Sequence, residues 1–231
     1  MKYILFLFIL IGCSENNHTY FPLGKIKSWS YKIEIEPEVD KKTVYKKTNL
    51  SLGKKKLEIE GKKESFYPFL REDGSIFFYK LEKNGIFRSG FAFAKDKNIN
   101  KEKQKRMVLP LPIKIGKKWS VDSKTYLILK RYPYYDYRAT TNFMIDYEII
   151  STDEIISTPI GKFRNCILIR GIGNTKFIGD SEIGSIAINI LSEEWYAKGV
   201  GLIKSVRVEK TDSDLFGTTK MTQVLEGFKE N

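Results

Sequence analysis

Apolar and polar side chains alternate along most of this chain with a period of two. In Trp29–Glu36, the residues Trp29, Tyr31, Ile33 and Ile35 alternate with Ser30, Lys32, Glu34 and Glu36, the pattern of a strand with one buried face. Pro37 ends it, because proline has no amide to give a ladder. Val44–Leu52 and Leu57–Ile59 are weaker strands parted by Gly53 and a lysine run. Ser65–Leu70, Ile76–Leu81 and Ile86–Phe93 read as a meander. Its turns fall at Glu72-Asp73-Gly74-Ser75 and Lys83-Asn84-Gly85, since Asp-Gly and Asn-Gly pairs supply the positive φ angles of tight hairpins.

The alternation resumes in the second half. Thr125–Arg131, Asn142–Ile150, Phe163–Arg170, Ser185–Leu191, Glu194–Ala197, Leu202–Glu209 and Thr218–Leu225 all read as strands. Asn142–Ile150 puts Phe143, Ile145, Tyr147 and Ile149 on one face. Gly199-Val200-Gly201 predicts a tight turn that pairs the strands on either side of it. No segment keeps a helical period over three turns, so the chain is an all-β, antiparallel protein with at most one or two short helices. A short self-similarity links Pro22…Trp29-Ser30 with Pro112…Trp119-Ser120. It predicts two places where a proline-bearing turn leads to a tryptophan opening a strand.

The N-terminus departs from this pattern. Lys2 precedes an unbroken apolar run, Tyr3–Ile11, that closes on Leu10-Ile11-Gly12-Cys13. The run is shorter than the about 20 residues a membrane-spanning helix needs. It resembles the lipobox of bacterial lipoprotein signal peptides, in which the cysteine is acylated and the bond before it is cut. The expected organisation is a signal peptide over 1–12, a lipidated tether over 13–19 and a single β domain over 20–231. An alternative division of that domain is two similar halves joined near 95–107. Acyl chains on Cys13 would hold the protein on the membrane at about 0.8 kcal/mol per buried methylene. Ser14, rather than an aspartate, follows the cysteine, which favours the outer membrane.

Composition narrows the chemistry. Hydrophobic residues are 42% and aromatics 13%, enough for a substantial core. With Cys13 lipidated, Cys166 is the only other cysteine, so no internal disulfide forms, and its place in a strand predicts a buried, inert thiol. The net charge of +12 admits anionic lipid or an acidic polymer as partner, while export argues against nucleic acid. Most lysines are scattered. Lys95–Arg106 is the exception, carrying Lys101, Lys103, Lys105 and Arg106 among polar residues, and it reads as an exposed basic loop.

The single histidine, His18, lies in the tether. Ser-His-Asp and Cys-His catalytic units, and zinc sites of the usual Cys/His kind, therefore lack their residues in the folded part. No cofactor or metal is expected. Gly171-Ile172-Gly173-Asn174-Thr175 has neither the spacing nor the lysine of a phosphate loop and reads as a strand-end loop. Gly179-Asp180-Ser181 reads as a turn, and Asp212 with Asp214 are too few carboxylates for calcium. The most distinctive ligand-binding candidates are Tyr132, Tyr134, Tyr135 and Tyr137. This cluster either stacks on a ligand or packs as an aromatic strand and corner.

Three blocks carry a family resemblance: Phe21-Pro22-Leu23 with Trp29 and Tyr31; Thr158-Pro159-Ile160-Gly161-Lys162-Phe163 with Cys166; and Trp195-Tyr196-Ala197-Lys198-Gly199-Val200-Gly201-Leu202-Ile203-Lys204. In this order they resemble a group of uncharacterised bacterial lipoproteins, itself similar in fold to the Lol-type carrier and receptor lipoproteins. The first block departs from the group in having Ile26 where a glycine is usual. The resemblance implies a half-barrel, a curved antiparallel sheet around an apolar core or cavity, with no catalytic residues to carry over. The expected function is non-enzymatic binding of an apolar or amphipathic ligand, such as a lipid or acyl chain. The alternative is a structural lipoprotein that meets another envelope protein or cell-wall polymer through its basic surface.

Overall fold

The computed structural model describes residues 20–230 apart from 60–61, 94, 97–98, 132–133, 180 and 182–183, with the backbone alone at 59, 62, 103, 128–131 and 134–137. Its described residues are nearly all strand, in one large curved antiparallel sheet that does not close into a barrel. β1 (Ile26–Pro37) buries Trp29, Tyr31 and Ile33 on alternate positions. On one side it pairs with β2 (Thr43–Leu52), on the other with β15 (Thr218–Glu230), so Tyr31 lies between Lys47 and Leu225. Beyond β2 come β4 (Lys62–Arg71), β5 (Ser75–Glu82), β6 (Gly85–Phe93) and β7 (Asn100–Pro110). β3 (Lys55–Ile59) pairs with β4 off this path. Beyond β15 come β14 (Gly201–Thr211), β13 (Ser185–Ala197), β12 (Gly161–Ile178), β11 (Asn142–Thr158) and β8 (Lys118–Lys124). β9 (Leu127–Arg131) and β10 (Tyr134–Ala139) form a separate ribbon.

The order puts the two ends of the chain at the middle of the sheet and its middle at the two edges. Curvature brings those edges, β7 and β8, towards each other. Arg106 stands four residues before the end of β7, and Asp122 four after the start of β8. Two directly paired strands would bond there through their backbones. Here the Arg106 side chain spans the gap, and its Nη1 donates to the Asp122 carbonyl. The edges therefore form a seam.

Two buried clusters meet inside. One contains Ile145, Ile149, Ile167, Ile169, Ile186 and Ile188; the other Trp29, Tyr31, Phe69, Leu168, Trp195 and Leu225. Phe21, Leu23 and Tyr79 pack against both. The inner face of β1 also grips the β13–β14 turn. Lys27 Nζ donates to the Gly199 carbonyl at 3.0 Å, Trp29 Nε1 to Val200 at 2.7 Å, and Tyr31 Oη to Leu202 at 3.0 Å. Gly199 and Gly201 stand at φ 77° and 94°, as the predicted turn requires. Trp29 is the fourth residue of β1, which begins earlier than expected at Ile26, and Trp119 the second of β8; each stacks on a ring, Phe69 and Tyr147 respectively, at 20° between planes.

Four expectations change. Lys95–Arg106 is not simply a loop, because residues from Asn100 onward form edge strand β7. An edge strand carries charge at successive positions, since lysines there discourage pairing with other chains. Gly171–Thr175 is not a strand-end loop but the interior of β12. Gly171 and Gly173 are small to admit rings from β11: a Cβ on either would stand 2.5 Å from Tyr147 or Phe143. Ser185–Leu191 and Glu194–Ala197 are one strand, β13. At the β5–β6 turn neither Asn84 nor Gly85 takes a positive φ. Gly85 is needed for space, because a Cβ would lie 2.7 Å from the Leu109 carbonyl oxygen.

Candidate functional site

A trough follows the seam and runs into the sheet. Its innermost chamber, of about 150 Å³, is walled by Tyr79 of β5, Arg88 of β6, Arg106 of β7, Trp119 of β8, Tyr147 of β11 and Tyr196 of β13, among others. Arg88 and Arg106 also line a groove of about 570 Å³ along the seam and a larger hollow of about 900 Å³ beside it. That hollow reaches Tyr126, Ser192, Ser205, Arg207 and Met221. Alternation along β13 explains the floor. Ile186, Ile188 and Ile190 are buried on one face, and the same face continues as Ser192, Glu194 and Tyr196. One strand therefore supplies aliphatic core and polar trough in succession.

The polar groups differ in how fully they are engaged. Tyr196 Oη donates to Glu194 Oε2 at 2.6 Å, and Tyr147 Oη to Glu194 Oε1 at 3.5 Å. Burial pushes the Tyr147 phenol up and the Glu194 carboxylate adds to this; the same two causes hold Tyr196 well above the usual phenol range. Both hydroxyls thus stay protonated. Arg207 and Glu209 form a nearly buried pair, with Nη2 2.7 Å from Oε1 and side chains 11% and 5% exposed. Arg207 Nη2 also donates to the Lys124 carbonyl at 2.8 Å, and Glu209 Oε2 accepts from the Tyr126 amide at 3.1 Å. This pair pins the segment between β8 and β9 to β14. Arg88 bonds Glu102 through Nε and lies 4.5 Å from the Phe77 ring centroid.

Arg106 is different. Among the described residues it enters no ion pair, and its hydrogen bond goes to the Asp122 carbonyl. Trp119 stacks on Tyr147 with centroids 5.6 Å apart, and its indole N–H is buried without an acceptor among the described residues. The chamber therefore brings together a guanidinium lacking a carboxylate and an indole donor lacking an acceptor.

Of the residues singled out in the sequence, Lys101, Lys105 and Arg106 line the seam groove. They do not make a simple basic surface. Lys105 Nζ is 2.6 Å from Glu82 Oε1, and Glu102 lies among them holding Arg88. The Lys103 side chain, Tyr132 and Cys13 lie outside the described residues, as do the side chains of Tyr134, Tyr135 and Tyr137 on β10. Cys166 is buried, and burial pushes its thiol up. Asp212 does not approach a metal site but accepts the Ala187 amide at 2.8 Å. Among the described residues no group of three His, Cys, Asp or Glu side chains is placed to hold a metal ion. Arg88, Glu194, Tyr196 and Arg207 are not among the site residues that the sequence singles out. Their signal was polar side chains at positions where alternation demands an inward face, as in Ser192-Glu194-Tyr196.

No protein-family model and no curated protein matches the chain. Two solved structures are similar to it. One is a "putative lipoprotein" from Parabacteroides distasonis ATCC 8503, 18% identical over 91% of this chain and 98% of that one, with a TM-score of 0.47. The other is a "putative exported protein with YmcC-like fold" from Bacteroides fragilis NCTC 9343, 14% identical over 90% and 98% of the two chains, with a TM-score of 0.38.

Proposed function

We propose that this chain is a lipid-anchored protein of the bacterial cell envelope that binds an amphipathic ligand in the trough and catalyses no reaction on it. The anchor rests on Lys2, the apolar run to Ile11 and Gly12-Cys13, with Ser14 favouring the outer membrane. The absence of catalysis rests on the single histidine, His18, far from the trough in sequence.

The observation that carries the binding reading is the trough itself. An open sheet with a packed interior would need no hollow, yet aromatic and aliphatic walls of Tyr79, Met107, Val108, Trp119 and Tyr147 meet Arg88 and Arg106 in one space. Apolar walls with a few convergent polar groups are the usual form of a small-molecule site. Titration with a fluorescent fatty acid tests this: saturable binding at one site supports it, and a linear, non-saturating signal counts against it. Loss of labelled fatty acid from Cys13→Ala in cells tests the anchor separately. The competing reading, attachment to a cell-wall polymer or another envelope protein through Lys101, Lys103 and Lys105, is weakened by the carboxylates of Glu82 and Glu102 among these lysines.

A further inference from the structure

Building on the proposed binding of an amphiphile, we infer that the ligand's polar end is an anion, a carboxylate or phosphate ester, seated in the inner chamber by Arg106, Arg88 and the indole N–H of Trp119. The chamber lining holds two guanidiniums, Arg88 and Arg106, and one carboxylate, Glu194. That carboxylate already accepts from Tyr147 and Tyr196. Arg88 is held by Glu102 through Nε, which fixes its guanidinium while the remaining N–H groups stay available as donors. Arg106 has no carboxylate among the described residues, and Trp119 Nε1 is buried without an acceptor. A buried donor left unpaired is costly. All three groups supply hydrogens and none supplies an acceptor, so the missing partner is an acceptor, and two guanidiniums favour one that is charged.

The way in has the same sign. The seam groove is lined by Arg88, Lys101, Lys105, Arg106 and Lys124 against Glu102 and Asp122; with Glu82 counted against Lys105 the cations still outnumber the carboxylates, a modest positive excess that favours an approaching anion. The basic stretch that stands out in the sequence is thus one lip of the opening. The chamber, about 150 Å³, suits a headgroup; the adjoining hollow of about 900 Å³ has the volume for a chain, although polar side chains make up most of its lining and Tyr126, Tyr147 and Met221 are its apolar part.

The test uses the chain from Ser14 onward, which contains every described strand, loaded with the neutral dye Nile red. Laurate and dodecanol, equal in chain length, compete for the dye, and inorganic phosphate is titrated by calorimetry. Laurate should displace the dye at about one-tenth the concentration dodecanol needs, the ratio expected of a charge-assisted hydrogen bond. Arg106→Gln should bring the two to parity by weakening laurate alone. Trp119→Phe, which keeps a ring beside Tyr147 but removes the N–H together with part of the indole, should narrow the gap between laurate and dodecanol, a ratio in which the packing loss common to both cancels, and carries the test if Arg106→Gln does not fold. Equal potency of laurate and dodecanol in the native protein overturns the inference while leaving the trough as an apolar site. So does a preference that survives both substitutions. Failure of dye, laurate and dodecanol alike to bind overturns the amphiphile reading and this inference with it. Saturable phosphate binding without laurate binding would give the chamber to a free anion and likewise remove the amphiphile.

Discussion

Gly171 of β12 lies directly opposite Tyr147 of β11, and a Cβ on that glycine would stand 2.5 Å from Tyr147 Cε1. The ring needs that space to stack on Trp119 and to reach Glu194. Gly171→Ala should therefore lower stability by about 1–3 kcal/mol, the usual cost of overpacking, as measured by urea denaturation. It should also weaken fatty-acid binding, because the displaced ring forms a wall of the chamber. A variant with native stability and native binding would show that the ring moves aside freely.

A different mechanism governs Gly199. Nothing lies within 4 Å of a Cβ built there, but its φ is +77°. Gly199→Ala should cost about 1–2 kcal/mol through left-handed backbone strain alone. The melting temperature should fall without any change in ligand affinity, since the turn is gripped by Lys27, Trp29 and Tyr31 rather than by trough residues.

Arg207 and Glu209 are nearly buried together. Glu209→Ala leaves the guanidinium without its counter-charge and frees the Tyr126 amide. The expected loss is about 3–5 kcal/mol, as for other buried pairs broken on one side. The double variant Arg207→Met/Glu209→Leu should recover much of this, because it removes both buried charges. Urea midpoints for the two variants check it; a double variant as unstable as the single one would contradict it.

Lys47, opposite Tyr31 on β2, has its ammonium lowered from 10.5 to about 8, chiefly by burial and secondarily by Arg71, with Asp73 and Glu72 opposing. Between pH 8 and 10.5 the unfolded chain still holds a proton that the folded chain has released, so stability from this group rises with pH across that window. Below pH 8 both states are charged and the folded state bears the penalty. The buried phenols of Tyr31 and Tyr79, raised by burial, act oppositely above pH 10, where the unfolded chain ionises first. Lys47→Met removes the lysine contribution alone. The stability difference, native minus variant, should grow in favour of the native protein from pH 8 to pH 10. Parallel curves would refute the shift.

Strands with one buried face were legible in the sequence. Trp29–Glu36 alternates cleanly because its inner side chains enter the core while its outer ones meet solvent. Asp73-Gly74 marks its turn because Gly74 does take φ 77°. β7 was not legible as a strand, since an edge strand bordering an open seam has no continuous apolar face to display. The central part of β12 was obscured by Gly171 and Gly173, whose smallness serves rings on another strand. The trough was the least legible feature. Arg88, Arg106, Trp119, Tyr147 and Glu194 come from β6, β7, β8, β11 and β13, and only closure of the sheet towards its own edges brings them together. Arg106 was noticed for its charge, but its place opposite Asp122 depends on that closure.

The most direct measurement is native mass spectrometry of the protein purified gently from its own cells, with the lipid anchor removed. A one-to-one adduct that extracts into organic solvent, and is identified there as an amphiphile, is the expected result. A bare polypeptide mass, reproduced across preparations that also fail to take up added fatty acid, would contradict the binding role and return the trough to an unfilled structural hollow.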